Sequence, residues 1–257
     1  MKHTLYVVGF GPGNYEHMTQ KAIDVFQKVD EIVGYTTYVQ LVKEYFPDKC
    51  YKTTPMRKET ERCLFAIEEV EQGNDVALIS SGDSGIYGMA GIALQLVQER
   101  KANIQVEIVP GVTASSVAAS VLGAPLMHDF ATISLSDLMT PLDLIMKRVE
   151  CCAMADMIVC LYNPRSKKRN DYIVQAAEKM LQHQKETIPV GIVRHAGRKE
   201  EEMLFTTLGQ LRNFEQWKEE EKEMLDMFSI VIVGNSSTYI KDGTMITPRG
   251  YQIPVGE

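Results

Sequence analysis

Short apolar runs rich in β-branched residues alternate along the chain with segments whose apolar residues return every three or four positions. Residues 5–8 read as a buried strand ending in glycines. Residues 19–28 read as a helix that Thr19 caps, with Ala22, Val25 and Phe26 on one face. A short strand over 31–33 precedes a helix over 59–72, which turns Cys63, Ala66, Ile67 and Val70 inward and has Gly73 at its C-terminal cap. Strands over 76–79 and 106–109 and helices over 87–99 and 113–122 complete the first half. In the second half, strands are predicted over 132–135, 157–162, 190–193 and 230–233. Helices are predicted over 141–150, 170–182 and part of 208–225. Such alternation implies α/β layers built on largely parallel sheets.

The 257 residues suffice for about two domains. Gly123-Ala124-Pro125 is the natural hinge, giving an N-terminal α/β domain over 1–124 and a C-terminal one over 125–257. With 45% hydrophobic and 24% charged residues the composition is that of an ordinary globular protein. The net charge of −7 argues against a general nucleic-acid or anionic-membrane binder. No signal peptide is expected in MKHTLYVVGFGPG, where glycine interrupts a short apolar stretch. The uncharged stretch 108–127 is too broken by proline, glycine and hydroxyl residues to span a membrane. The five cysteines form no C-x-x-C pair, so reduced cytosolic thiols and no metal site are expected. Vicinal Cys151-Cys152 reads as buried small residues at a helix end, and 218–223 as a solvated helix surface.

Candidate chemistry sits in three glycine-bearing loops, each following a predicted strand. They are Gly9-Phe10-Gly11-Pro12-Gly13, then 80–88 (SSGDSGIYG), then 109–116 (VPGVTASS). Glycine lets the backbone turn tightly and approach a ligand. Ligands of α/β sheets bind beyond the carboxyl ends of strands, so three such loops together imply one composite site. The first loop admits a nicotinamide-dinucleotide reading, since Asp30 and Glu31 follow at a suitable distance. Against it, the pattern is G-x-G-x-G, Pro12 removes an amide donor, and the acids precede the second strand. No G-K-[ST] follows, so a P-loop is excluded.

The succession G-x-G-P-G, S-G-D-x-x-x-Y, P-G-V-T-A-x-x-A-A, Leu161-Tyr162-Asn163-Pro164 and 230–234 (IVIVG) resembles the tetrapyrrole (corrin/porphyrin) methylases over nearly the whole chain. Ser84 in place of the commoner proline is similar to the precorrin-3B C-17-methyltransferase subgroup and its cobalt-factor III counterpart. So are His128-Asp129-Phe130, Ser136-Asp137-Leu138-Met139-Thr140-Pro141 and Tyr162-Asn163-Pro164-Arg165-Ser166. The resemblance implies two α/β domains with S-adenosylmethionine in the cleft between them. It implies a cytoplasmic homodimer that methylates carbon 17 of a cobalamin precursor and contracts its ring. Methylation of another ring carbon, a nicotinamide-dependent oxidoreductase and a binding-only homologue are the alternatives.

The resemblance carries cofactor contacts onto Pro12, Gly82, Asp83, Ile86, Tyr87, Thr113, Ala114, Tyr162, Asn163, Ala196, Val233 and Gly234. Asp83 would accept from ribose hydroxyls or face the cofactor's cationic groups, or else cap its own turn. Methyl transfer from a sulfonium needs alignment more than acid–base chemistry. Ring contraction moves protons, and its candidates are Ser84, His128, Asp129 and Arg194. His128 and Asp129 also fit a plain hinge. A polycarboxylate substrate on an acidic protein requires a local basic cluster. Arg165, Lys167, Lys168 and Arg169 supply one, the alternative being an exposed basic loop.

Overall fold

The computed structural model describes residues 3–252. Met1 and Lys2 of the N-terminal stretch and residues 253–257 of the expected second domain lie outside them. The chain divides into two compact units, Met1–Ala114 and Ser115–Glu257, ahead of the expected boundary at 124. Gly123-Ala124, the expected hinge, forms a short strand inside the second unit, paired with Met245 and Ile246.

The first unit runs β1 (Thr4–Gly9), α1 (Gln20–Lys28), β2 (Glu31–Tyr35), α2 (Thr36–Lys43), β3 (Cys50–Thr54), α3 (Glu59–Glu71), β4 (Val76–Ser80), α4 (Ala90–Arg100) and β5 (Gln105–Val109). Its sheet is parallel throughout, in the order β3-β2-β4-β1-β5. Alternate residues of β1 serve opposite faces. Tyr6 and Val8 pack with Phe10, Ala22, Phe26 and Val39, while Leu5 and Val7 pack with Cys63, Ile67 and Ala93. A parallel sheet covered on both faces explains why its central strands read as unbroken apolar runs. The Thr19 hydroxyl accepts from the Ala22 amide at 3.2 Å, capping α1 as its sequence predicts. Helix α4 begins at Ala90, later than expected, because Tyr87 adopts a left-handed φ of 56°.

The second unit holds α5 (Ala114–Leu122, all but its first residue), β6 (Gly123–Ala124), β7 (Phe130–Ser134), α6 (Leu142–Met154), β8 (Ile158–Tyr162), α7 (Tyr172–Met180), β9 (Pro189–Arg194), β10 (Glu202–Thr207), α8 (Leu208–Arg212), α9 (Glu219–Glu223), β11 (Ser229–Val233), β12 (Tyr239–Lys241) and β13 (Thr244–Ile246). Its main sheet has the order β10-β9-β11-β8-β7. Only β7 and β8 are parallel neighbours; the other pairs are antiparallel, contrary to the expectation of a largely parallel sheet. The loop 195–201 makes β9 and β10 a hairpin, and β11 runs opposite to both strands that flank it. One face packs Ile133, Leu161, Val190, Ile192 and Val231 against α6, α7 and α8. On the other face a Cβ at Gly191 would run into Leu122 of α5.

Helix α9 buries no residue, as a segment charged on all sides requires. Cys151 is exposed and Cys152 half-buried, so the vicinal pair is not the buried feature expected. No helix among the described residues is long and apolar enough to cross a membrane.

Candidate functional site

In the first unit β4, β1 and β5 are consecutive and parallel, so the three glycine-bearing loops leave the same sheet edge side by side. They are joined backbone to backbone. The Phe10 amide donates to the Ser80 carbonyl at 3.1 Å, and Gly11 and Gly82 exchange amide–carbonyl bonds of 3.0 and 2.8 Å. The packing leaves no room for a side chain at Gly9 or Gly111. A Cβ on Gly111 would run into the carbonyl oxygens of Gly82 and Gly9, and one on Gly9 would lie 2.7 Å from the Gly82 oxygen. The third loop continues this contact: Thr113 and Ala114 face Gly82.

Asp83 ties the second loop to itself and to the third. One carboxylate oxygen accepts from the Gly85 and Ile86 amides at 2.7 and 3.2 Å; the other accepts from Gly111 at 2.9 Å. This is the turn-capping role anticipated for aspartate, extended by one bond to a neighbouring loop. Ser84 is fully buried and donates to the Val109 carbonyl at 3.0 Å. A buried hydroxyl so engaged positions the loop. Beyond Asp83 the side chains of Ile86 and Tyr87 stand exposed, at 39% and 56% of their surface. Holding Tyr87 at positive φ costs on the order of 1 kcal/mol and marks a strained position in this loop. Pro12 is buried on the first loop. The 3-10 turn Tyr15–His17 separates that loop from α1, so no helix N-terminus opens on the glycines as dinucleotide binding requires.

In the second unit Tyr162 and Asn163 end β8. The Tyr162 hydroxyl accepts from the Ser115 amide in the first turn of α5 at 3.0 Å. Asn163, at a left-handed φ of 52°, donates from Nδ2 to the Ser134 hydroxyl at 3.0 Å. Arg194 closes β9 on the same sheet edge. Its Nε donates to Asp226 at 2.9 Å and one terminal nitrogen to Glu202 at 3.2 Å. The Asp226 bond raises an already high pKa and keeps Arg194 a fixed cation that clamps the edge. Ala196 is buried in the loop that follows, beside His195, whose ring lies 5.4 Å from that of Phe228.

The antiparallel course of β11 separates residues that the sequence reading grouped. Val233 pairs with Val159 and Val190, at the start of β8 and β9, and Gly234 donates to the Pro189 carbonyl. Both therefore lie at the edge opposite Tyr162 and Arg194, a strand length of about 13 Å away. His128 and Asp129 are exposed just before β7, where the Asp129 carbonyl accepts from Ile158. They too share the far edge. The structure does not bring these two and Arg194 into one acid–base cluster.

The basic cluster splits. The Arg165 guanidinium stacks over Phe214, 5.0 Å from the ring centre. Arg169 is buried and donates to the Ser136 hydroxyl at 2.7 Å, with Asp137 at 3.7 Å. Paired bonds between Ser166 and Arg169 make a tight turn whose tip carries the exposed Lys167 and Lys168. Asp137 also accepts from the Tyr172 hydroxyl at 2.9 Å. That bond, with Arg169, holds its carboxyl below the usual range. Ser115 and Ser136 stand in the motifs read from sequence without an assigned role, and Ser134 and Tyr172 stand outside them.

Residues 4–212 match the sequence profile of the Tetrapyrrole (Corrin/Porphyrin) Methylases. The chain belongs to this family. The tetrapyrrole methylases are S-adenosylmethionine-dependent methyltransferases, and so is this chain. It is 49% identical over 249 residues to a probable cobalt-factor III C(17)-methyltransferase of Salmonella typhimurium, covering 97% of this chain and 100% of that one. It is 34% identical over 259 residues to a precorrin-3B C(17)-methyltransferase of Sinorhizobium sp, covering 98% of each. The crystal structure of the methyltransferase CobJ superposes with a TM-score of 0.86 at 30% identity, over 96% of this chain and 100% of that one.

The first-unit loops of this methylase fit the cofactor's chemistry. S-adenosylmethionine is part apolar and part zwitterionic. The glycine amides named above donate within the loops, while their carbonyls keep a second lone pair for a polar ligand and exposed Ile86 and Tyr87 offer apolar contact.

Proposed function

We propose that this methylase transfers a methyl group to carbon 17 of cobalt-factor III or precorrin-3B in cobalamin biosynthesis, with contraction of the macrocycle. The observation that carries the reading is the contact of three glycine-bearing loops at one sheet edge, stapled by Asp83, in a chain so similar to C-17 methyltransferases. S-adenosylmethionine supplies an activated methyl group on a sulfonium. The chain's part is to hold and orient. Backbone groups of 9–13, 80–88 and 109–114 receive the polar parts of the cofactor, and Ile86 and Tyr87 receive apolar surface.

In the second unit the proposal extends cofactor contacts to Tyr162, Asn163 and Ala196. Val233 and Gly234, at the far edge of that sheet, are left to shaping it. Lys167 and Lys168 meet acetate and propionate arms. With Ser84 and Arg194 held in fixed bonds, His128 and Asp129 remain the candidates for proton transfer during contraction. The protein would act as a homodimer in the cytoplasm; sedimentation checks the dimer and cell fractionation the compartment.

The test is direct. The purified protein is titrated with S-adenosylhomocysteine by calorimetry, then incubated with S-adenosylmethionine and each macrocycle, and the product is examined by mass spectrometry and NMR. One added methyl on carbon 17 of a contracted ring is expected. Methylation elsewhere, or none, would overturn the assignment.

A further inference from the structure

The segment 136–140, between β7 and α6, carries two large apolar side chains that the fold leaves in solvent. Met139 is 91% exposed and Leu138 59%. Exposed residues of this size are usually on floppy tips, yet this turn is anchored on both sides of its first residues. Ser136 accepts from Arg169 at 2.7 Å, and its amide donates to the Ser134 hydroxyl at 3.2 Å. Asp137 is held by Tyr172 at 2.9 Å and by Arg169 at 3.7 Å. Arg169 in turn closes the tight turn that presents Lys167 and Lys168. Because β7 and β8 are parallel neighbours, both tips leave the same sheet edge, and one buried arginine joins them. The result is an apolar tip whose base, Ser136 and Asp137, is held by the same arginine that braces a pair of exposed cations.

We propose that Leu138 and Met139 form the platform for one face of the tetrapyrrole ring, with Lys167 and Lys168 holding its carboxylate arms, so that 136–140 sets substrate specificity. This rests on the proposed function. Its chemistry is that of the ligand: a flat apolar macrocycle rimmed with acetates and propionates needs apolar contact area and cations beside one another. The polarizable thioether of Met139 suits a broad π surface. The mutual charge complementarity selects a polycarboxylate macrocycle over a neutral apolar ligand.

The test uses uroporphyrin III as the macrocycle, followed by absorbance and fluorescence, and S-adenosylhomocysteine as the cofactor probe, followed by calorimetry. The full chain carrying Leu138→Ala and Met139→Ala together should bind uroporphyrin about tenfold more weakly, the size expected from losing two apolar contacts. Its melting temperature and S-adenosylhomocysteine affinity should stay unchanged. Lys167→Gln with Lys168→Gln should weaken uroporphyrin binding comparably and flatten its dependence on salt. Uroporphyrin affinity that survives both pairs would overturn the inference while leaving the methyltransferase reading intact. A sedimentation change in the Leu138/Met139 variant would assign the tip to contact between copies and overturn it as well. A wild-type protein that binds S-adenosylhomocysteine but no tetrapyrrole would instead bring down the proposed function itself.

Discussion

Replacing Asp83 by asparagine asks whether one carboxylate preorganises the cofactor loops. Asparagine keeps one oxygen for the Gly85 and Ile86 amides but turns an NH2 group toward the Gly111 amide, which lies 2.9 Å from the second oxygen in the native protein. Two donors then face each other, and the bond between the second and third loops is lost. A hydrogen bond to a charged acceptor contributes about 1.5–3 kcal/mol. The variant should lose roughly that from the stability of the first unit, a drop of about 2–4 °C in melting temperature for each kcal/mol. Binding S-adenosylhomocysteine must then re-form the loop arrangement at its own expense, so affinity should fall about 10- to 100-fold. Asp83→Ala removes all three bonds and should do worse on both measures. Calorimetric titration and thermal melts of the two variants provide the readout. Native stability and affinity in Asp83→Asn would refute the staple. Lost affinity at full stability would show direct cofactor contact in place of positioning.

Three further expectations concern other residues. Gly111→Ala pushes a Cβ into the Gly82 and Gly9 carbonyls and should cost about 1–3 kcal/mol by overpacking, read as a lower melting temperature; an unchanged melt would contradict the packing. Burial pushes the Cys63 and Cys160 thiols up to about 12, so a thiol reagent at pH 8 should modify Cys50 and Cys151 in the folded protein and reach Cys63 and Cys160 only after unfolding, as peptide mapping would reveal. Burial first, and then Glu69, raises the Glu31 carboxyl above 4.5, so the folded chain binds its proton more tightly than the unfolded one and stability falls as pH rises from 4.5 through the raised value. Glu31→Gln should therefore gain over wild type at pH 7 and match it at pH 4. A gain that persists at pH 4 would point to a cause other than ionisation.

What the sequence disclosed, and what it hid, follows from how each element is stabilised. Central strands such as β1, β4, β8 and β11 are covered on both faces, so their apolar runs are unmistakable. Strand β3 lies at a sheet edge with its residues exposed or half-buried, and Cys50–Thr54 carries no alternating pattern to betray it. Strand β10, at the other sheet's edge, is likewise exposed or half-buried except at Thr206. The hairpin of β12 and β13 did have a signal, since Asp242-Gly243 takes the two positive φ values of 49° and 72° that such a two-residue turn demands. Strand direction leaves no mark in hydrophobic patterning at all. That is why a parallel sheet was expected where β11 runs backwards, and why Val233 and Gly234 fall at the edge away from Tyr162.

The same distinction governs the site. Its glycines were legible because the contact requires them: where backbone meets backbone at Gly9, Gly82 and Gly111, any Cβ collides with a carbonyl or the chain turns through positive φ. The side chains that looked chemical were the less reliable guide. Ser84, Arg165, Arg169 and Arg194 are each occupied in holding a loop, and a residue pattern cannot tell a group aimed at a ligand from one aimed at its own backbone. That occupancy also resolves the acidic balance of the chain. Of the four cations expected to meet a polycarboxylate, the two arginines brace the turn and the two lysines project from it. In the proposed reading, recognition of carboxylate arms then depends on two exposed ammonium groups at the tip of a turn that Arg169 closes and ties to Ser136, at the base of the apolar tip.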